Sequence, residues 1–242
     1  MLQSFSHRYE RHVRLPEIGE AGQKRLSSAS AVVVGAGGLG SPVLYYLASA
    51  GVGHIKIIDS DTVDMTNLNR QFLYNENDIG KEKSRTAAEN LKLYNSDIQI
   101  SAVTAALDDD NARQLLDGAD IVLSCVDNKI TRYVLNKASL SSGVPMIDGG
   151  VQGFEGYILT ILPGITPCYQ CIFPKYDQTR DVGGAGVVGA AAGVPGSMMA
   201  MEAIKVIVGM PISSYFHHID MLNYRITPII ARRAADCPAC GG

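Results

Sequence analysis

Apolar runs of about four to eight residues recur through the first 150 positions and alternate with longer amphipathic stretches. The runs at 31–34, 55–58, 98–105, 119–126 and 144–147 are rich in β-branched residues and read as strands. Helical periodicity is predicted over 20–28, from Gly40 toward residue 50, and over 81–94, 108–116 and 128–142. Strand alternating with helix predicts a Rossmann-like, doubly wound, mostly parallel α/β sheet. After Gly149 the pattern changes. Residues 156–162 and 217–226 read as strands without a crossover helix of the earlier kind, which predicts antiparallel additions to the sheet. No repeat or low-complexity linker interrupts the chain, so one continuous domain over 1–242 is expected: a helical arm (1–30), a nucleotide-binding core (31–150) and a remainder (151–242).

Composition changes this picture little. A net charge of −3 with both signs dispersed gives no nucleic-acid or membrane signature. Residues 182–201 are uncharged, but six glycines and Pro195 make a poor span; a flexible loop is expected there, leading into a buried helix over 196–208. Arg8, Glu10, Arg11 and Arg14 stand where a secretory leader would be apolar, so the cytoplasm is the expected compartment.

Four of the five cysteines form two CxxC pairs, Cys168/Cys171 and Cys237/Cys240. Each has the spacing that turns two thiolates onto one ion, and two such pairs complete a tetrahedral zinc site without an open position. It would staple the C-terminal tail to a loop. A redox dithiol and paired disulfides compete with zinc. Cys125, inside an apolar strand, reads as core.

The stretch joining the first two strands satisfies GxGxxG through Gly35, Gly37 and Gly40. Gly35 suits the tight turn, Gly37 lets a phosphate approach the backbone, and Gly40 lets the helix pack closely. Asp59 ends the second strand, where a carboxylate can accept from a ribose. Just beyond it lies a polar, turn-forming segment with Asp61, Thr66, Asn67, Asn69 and Arg70. No GxxxxGK[ST] loop is present. Arg70 and Lys83 can instead meet a triphosphate, and Asp127 can hold magnesium. That set suits attack by a carboxylate on an α-phosphate. Taken singly, Arg70 equally reads as a loop ion pair and Asp127-Asn128 as a helix N-cap. Lys81 and Lys83, both expected in a helix's first turn, oppose its dipole, a small cost that hints at another use for one of them.

The run Arg8-Tyr9-x-Arg11, the Gly-x-Gly-Gly-Leu-Gly loop, Asp59, Asn67-Leu68-x-Arg70-Gln71, Lys83, Cys125-x-Asp127-Asn128 and both CxxC pairs together resemble the MoeB/ThiF/HesA family, bacterial relatives of ubiquitin-activating enzymes. The resemblance implies a homodimer that adenylates the C-terminal glycine of a small ubiquitin-like sulfur carrier ending in Gly-Gly, using ATP and magnesium, for molybdopterin or thiamine biosynthesis. It implies that Gly38 and Asp59 bind adenosine and ribose, that Asn67, Arg70 and Lys83 hold phosphates, and that Asp127 binds magnesium with Asn128 beside it. It further implies that Arg11 reaches into the partner subunit's site, and that the carrier's tail runs beneath a crossover loop at about 175–189. Thiazole-synthesis members carry a cysteine where this chain has Val182, so adenylation alone, as in MoeB-type members, is expected. The alternatives are a tRNA-modification dehydratase of the same superfamily, a nicotinamide-dependent oxidoreductase, and a scaffold that binds a carrier without activating it.

Overall fold

The computed structural model describes residues 7–174, 186–212 and 215–241. Helices and strands follow in the order α1 (Glu10–Val13), α2 (Gly19–Ser28), β1 (Ser30–Val34), α3 (Gly40–Ala50), β2 (His54–Ile58), α4 (Lys83–Tyr94), β3 (Gln99–Val103), α5 (Ala112–Leu115), β4 (Ile121–Ser124), α6 (Lys129–Ser142), β5 (Met146–Gln152), β6 (Glu155–Ile161), α7 (Tyr169–Ile172), α8 (Gly189–Val208), β7 (Phe216–Asp220) and β8 (Arg225–Ile229). The strands form one sheet in the order β3-β2-β1-β4-β5-β6-β7-β8. The first five are parallel and the last three are added antiparallel, as the change of pattern after Gly149 predicts.

Helices cover both faces of the parallel part, which is why its strands are apolar at successive positions. In β1, Ala31 and Val33 face the cluster built with α3, α4 and α8, while Val32 and Val34 face the cluster built with α5 and α6. Gly196 lets α8 lie close on α3: a Cβ there would run into Pro42 and stand 2.7 Å from the Leu39 carbonyl.

Three local expectations give way. Helix α8 begins at Gly189, seven residues before the expected start, and holds Pro195 inside it. Burial of Ala191, Ala192, Pro195, Met199, Ala200 and Ala203 outweighs the weak intrinsic preference of this segment. α8 is also the described helix long and apolar enough to cross a membrane, yet half of that stretch is buried in the fold. The strand expected over 217–226 is two strands, β7 and β8, reversed by a turn in which Asp220 accepts from the Asn223 N–H at 3.0 Å and Tyr224 takes a φ of 55°. Helix α4 starts at Lys83, leaving Lys81 outside it and paired with Asp78 at 2.9 Å. Residue Val182 and most of the crossover loop at 175–189 lie outside the described residues.

The N-terminal arm is pinned to the amino-terminal edge of the sheet. Tyr9 is buried, its hydroxyl accepts from Asn95 Nδ2 at 2.9 Å, and its ring lies against Gly51, whose φ of 77° closes α3. The glycine turn sits at the other end of α3, about 16 Å away for an eleven-residue helix.

Candidate active site

Between β1 and β4 the strand order reverses direction, and the crevice at their carboxyl ends is where open α/β sheets place ligands. Gly35 opens the turn there with a φ of 93°, its N–H donating to the Ile58 carbonyl at 2.8 Å. A Cβ at Gly35 would stand 2.7 Å from the Cys125 carbonyl, and one at Gly40 would run into the Gly35 carbonyl. Gly37 differs, because a Cβ there would meet only the Gln71 amide at 3.5 Å, an ordinary contact. Packing therefore demands glycine at 35 and 40 but not at 37, where the absence of a side chain leaves room over the turn. Gln71 itself is buried beside that room, with its Oε1 unpartnered among the described residues.

Asp59 closes the crevice on the β2 side. Its Oδ2 accepts from the Ala36 N–H at 2.7 Å and its Oδ1 from the Asp61 N–H at 2.8 Å, which fixes the carboxylate against the glycine turn. Burial pushes its pKa above the ordinary value, and the two N–H groups pull it partway back.

The polar segment after β2 folds on itself. Thr66 donates from N and Oγ1 to Asp64 Oδ1 at 2.8 and 2.6 Å, and Asn67 Oδ1 accepts from the Asp64 N–H at 3.3 Å. Arg70 donates to the Thr66 carbonyl at 2.8 Å and to Asn69 Oδ1 at 2.9 Å. Its partners are neutral, so the loop ion pair is not what holds it; its methylenes lie 3.4 Å from where a Gly38 Cβ would be. Gly189, opening α8, packs on the Asn69 carbonyl, so this loop and α8 close one wall. Lys83 is buried at the start of α4 and donates to Asp61 Oδ2 at 2.9 Å, whereas Asp61 is mostly exposed.

Across the crevice, Asp127 follows β4. It is exposed, and no hydrogen bond or ion pair engages its carboxylate among the described residues. Asn128 caps α6 by accepting from the Thr131 N–H at 2.8 Å, so of the pair only Asn128 acts as the cap. An uncommitted carboxylate at this edge fits a hard divalent cation. The structure thus gathers Gly35, Gly37, Gly38, Gly40, Asp59, Asp61, Asn69, Arg70 and Lys83 around one turn, with Asp127 on the adjoining strand end. Thr66 and Asn67 serve the loop's own bonds, and Arg11 is exposed on α1 at the opposite edge.

Sequence reasoning missed a buried polar cluster beneath Asp127. Arg132 Nη1 donates to Asp148 Oδ1 and Oδ2 at 3.0 and 2.8 Å and to Tyr157 Oη at 2.5 Å, while Nη2 donates to the Val126 carbonyl at 2.5 Å. Burial works to lower the guanidinium pKa, but the Asp148 carboxylate overcomes it and raises it. The only sequence signal was an arginine four residues beyond the cap, on a helix whose other charges are Lys129 and Lys137.

Beside the middle of α6, at Asn136, the four paired cysteines meet. Their sulfurs all lie within 4.8 Å of one another, with contacts of 3.8, 3.6 and 3.4 Å. These are too long for S–S bonds and near the edge of about 3.8 Å expected for a tetrahedron of 2.3 Å zinc–sulfur bonds. The cluster could therefore bind zinc. Asn136 supports it by donating to Cys168 Sγ at 3.7 Å and accepting from the Tyr169 N–H at 2.9 Å.

Comparison with known proteins places this geometry. The ThiF family model matches residues 9–239. A sulfur carrier protein adenylyltransferase of Thermus thermophilus is 39% identical over 244 residues, covering 97% of this chain and 90% of that protein. The heterocyst protein HesA of Trichormus variabilis is 39% identical over 236 residues, covering 97% and 88%. Among solved structures, E. coli MccB with AMPCPP and MccA superimposes with a TM-score of 0.86 at 28% identity, over 98% of this chain and 75% of that one. E. coli MccB with ATP gives 0.80 at 26% identity, over 91% and 69%.

Proposed function

The chain belongs to the ThiF family and is an adenylyltransferase, and from that premise we propose that it adenylates the C-terminal glycine of a ubiquitin-like sulfur carrier ending in Gly-Gly. The observation that carries this reading is the gathering of Gly38, Asp59, Arg70 and Lys83 about one glycine turn, facing an uncommitted Asp127. A carboxylate oxygen of the carrier attacks the α-phosphorus of ATP. The new acyl–phosphate bond forms as the α–β anhydride breaks, and pyrophosphate leaves with the electron pair.

In this reading Asp59 accepts from the ribose, and the room over Gly37 and Gly38 takes the nucleotide. Arg70 and Lys83 are cations already held at the crevice, so they meet charge on the phosphates without a large reorganisation. Asp127 holds magnesium, which when bound neutralises phosphate charge. Asp61 and Asn69 keep Lys83 and Arg70 in place, and Asn128 fixes the helix behind Asp127. Zinc in the cysteine cluster is structural. Arg11 is exposed on α1, at the opposite edge from its own glycine turn, and in this reading it serves the partner subunit's site in a homodimer. The reduced thiols this requires suit the cytoplasm.

The test is ATP–pyrophosphate exchange with Gly-Gly-ended carriers from the same cell. Exchange that depends on one carrier and is lost in Asp127→Ala, with the fold unchanged, supports the reading. Carrier-independent exchange, or none with any carrier, overturns it.

A further inference from the structure

Asp127 is held unusually for an exposed residue. The Cys125 N–H before it donates to the Val34 carbonyl at 2.8 Å, and Asn128 after it is locked into the α6 cap. Between these, the Val126 carbonyl accepts from Arg132 Nη2 at 2.5 Å. The backbone on both sides is thus fixed while the carboxylate is left to solvent.

The arginine that does this is itself costly to keep. Its side chain is 8% exposed and its carboxylate partner Asp148 is fully buried, and such pairs are frequently no more stabilising than well-packed apolar residues. Tyr157 completes the arrangement, donating to Asp148 Oδ2 at 2.8 Å while accepting from Arg132. Its ring lies against Phe173 and Phe216 and fits only because Gly150 lacks a Cβ. Asp148 and Tyr157 come from β5 and β6 and Arg132 from α6, so three elements converge on one guanidinium. Among the described residues, that guanidinium's one hydrogen bond outside the trio goes to the peptide preceding Asp127.

We propose that Arg132 is a positioning residue, which through the Val126 carbonyl aims the Asp127 carboxylate at a divalent cation. This rests on the reading that Asp127 is a metal ligand, and it adds that Asp148 and Tyr157 serve the metal indirectly by holding Arg132.

The test is Mn²⁺ affinity, read by electron paramagnetic resonance with α,β-methylene ATP bound, beside the affinity for that nucleotide without metal. Arg132→Lys keeps a cation opposite Asp148, but a single ammonium cannot reproduce the two-nitrogen fork that also reaches Val126. Arg132→Lys is expected to weaken Mn²⁺ binding about 10- to 100-fold, the range for loss of an outer-shell partner, with metal-free nucleotide affinity unchanged within about twofold. Tyr157→Phe keeps the Val126 bond and is expected to lose less. If Arg132→Lys does not fold, the double variant Arg132→Met/Asp148→Leu removes the buried pair together and must show the same metal defect. Wild-type Mn²⁺ affinity in the Arg132 variants, with Asp127→Asn impaired, overturns the positioning role and leaves Asp127 as a ligand. Equal losses with and without metal also overturn it, since they mark general support of the site. Wild-type Mn²⁺ affinity in Asp127→Asn removes the metal role of Asp127, and this inference with it.

Discussion

The Lys83–Asp61 pair is asymmetric, and the asymmetry predicts opposite costs for its two halves. The Lys83 side chain is 7% exposed and that of Asp61 is 67% exposed, with 2.9 Å between nitrogen and oxygen. Lys83→Met removes the buried charge and fills the same channel with an unbranched apolar chain. The abandoned Asp61 stays in water, so the loss is that of a screened pair, about 1 kcal/mol or less. In a domain of this size that lowers the melting temperature by about 2–4 °C. Asp61→Asn leaves an ammonium among buried neighbours with a neutral amide in place of its counter-ion, and the cost rises to about 1–3 kcal/mol. Activity is expected to follow the other order. Lys83→Met loses a cation at the phosphates and should lower ATP–pyrophosphate exchange by about 10²–10³-fold, the scale of one preorganised charge donor. Urea unfolding and exchange rates on both variants test this directly. Greater destabilisation by Lys83→Met than by Asp61→Asn would refute the burial argument, and normal exchange in Lys83→Met would refute the phosphate role.

Other expectations follow from the same contacts. Gly40→Ala drives a methyl into the Gly35 carbonyl, and a loss of about 3 kcal/mol or more is expected in urea titration, whereas Gly37→Ala should leave the apo protein nearly unchanged while weakening nucleotide binding. Purified protein should contain one zinc per chain by elemental analysis, and Asn136→Ala should speed its loss to a chelator roughly tenfold or more without altering the thiol count. Arg11→Ala mixed with Arg70→Ala should regain part of the exchange activity that each lacks alone, because a hybrid dimer gathers both defects in one site. Absence of recovery with subunit exchange confirmed would argue against a shared site.

The residues that sequence reasoning located well are those whose chemistry is carried by spacing. GxGxxG, the strand-ending Asp59 and the two CxxC pairs are local patterns, and each imposes its geometry over a few residues. Boundaries were less legible where burial overrides propensity. The glycines and Pro195 of α8 argue against a helix locally, yet packing on α3 and the sheet sustains one from Gly189. The β7–β8 reversal was hidden because Asn223 and Tyr224 do not form a strong glycine turn signal. Arg132, Asp148 and Tyr157 were missed for a different reason. They are 16 and 9 residues apart along the chain, and nothing local announces that a helix and two strands bring them together.

The sequence by itself determined the alternation that makes a doubly wound sheet, the glycine turn at its switch point and the four thiols that could hold a metal. These depend on backbone sterics, strand burial and ligand spacing, which act over short range. Only the tertiary structure decided which charges are spent and which are free. Asn128 is consumed as a cap, Lys83 is buried against Asp61, and Asp127 is left open with its backbone clamped from below. Those distinctions depend on desolvation and on partners from distant segments, because the state of a charged group is set by what surrounds it rather than by its neighbours in the chain.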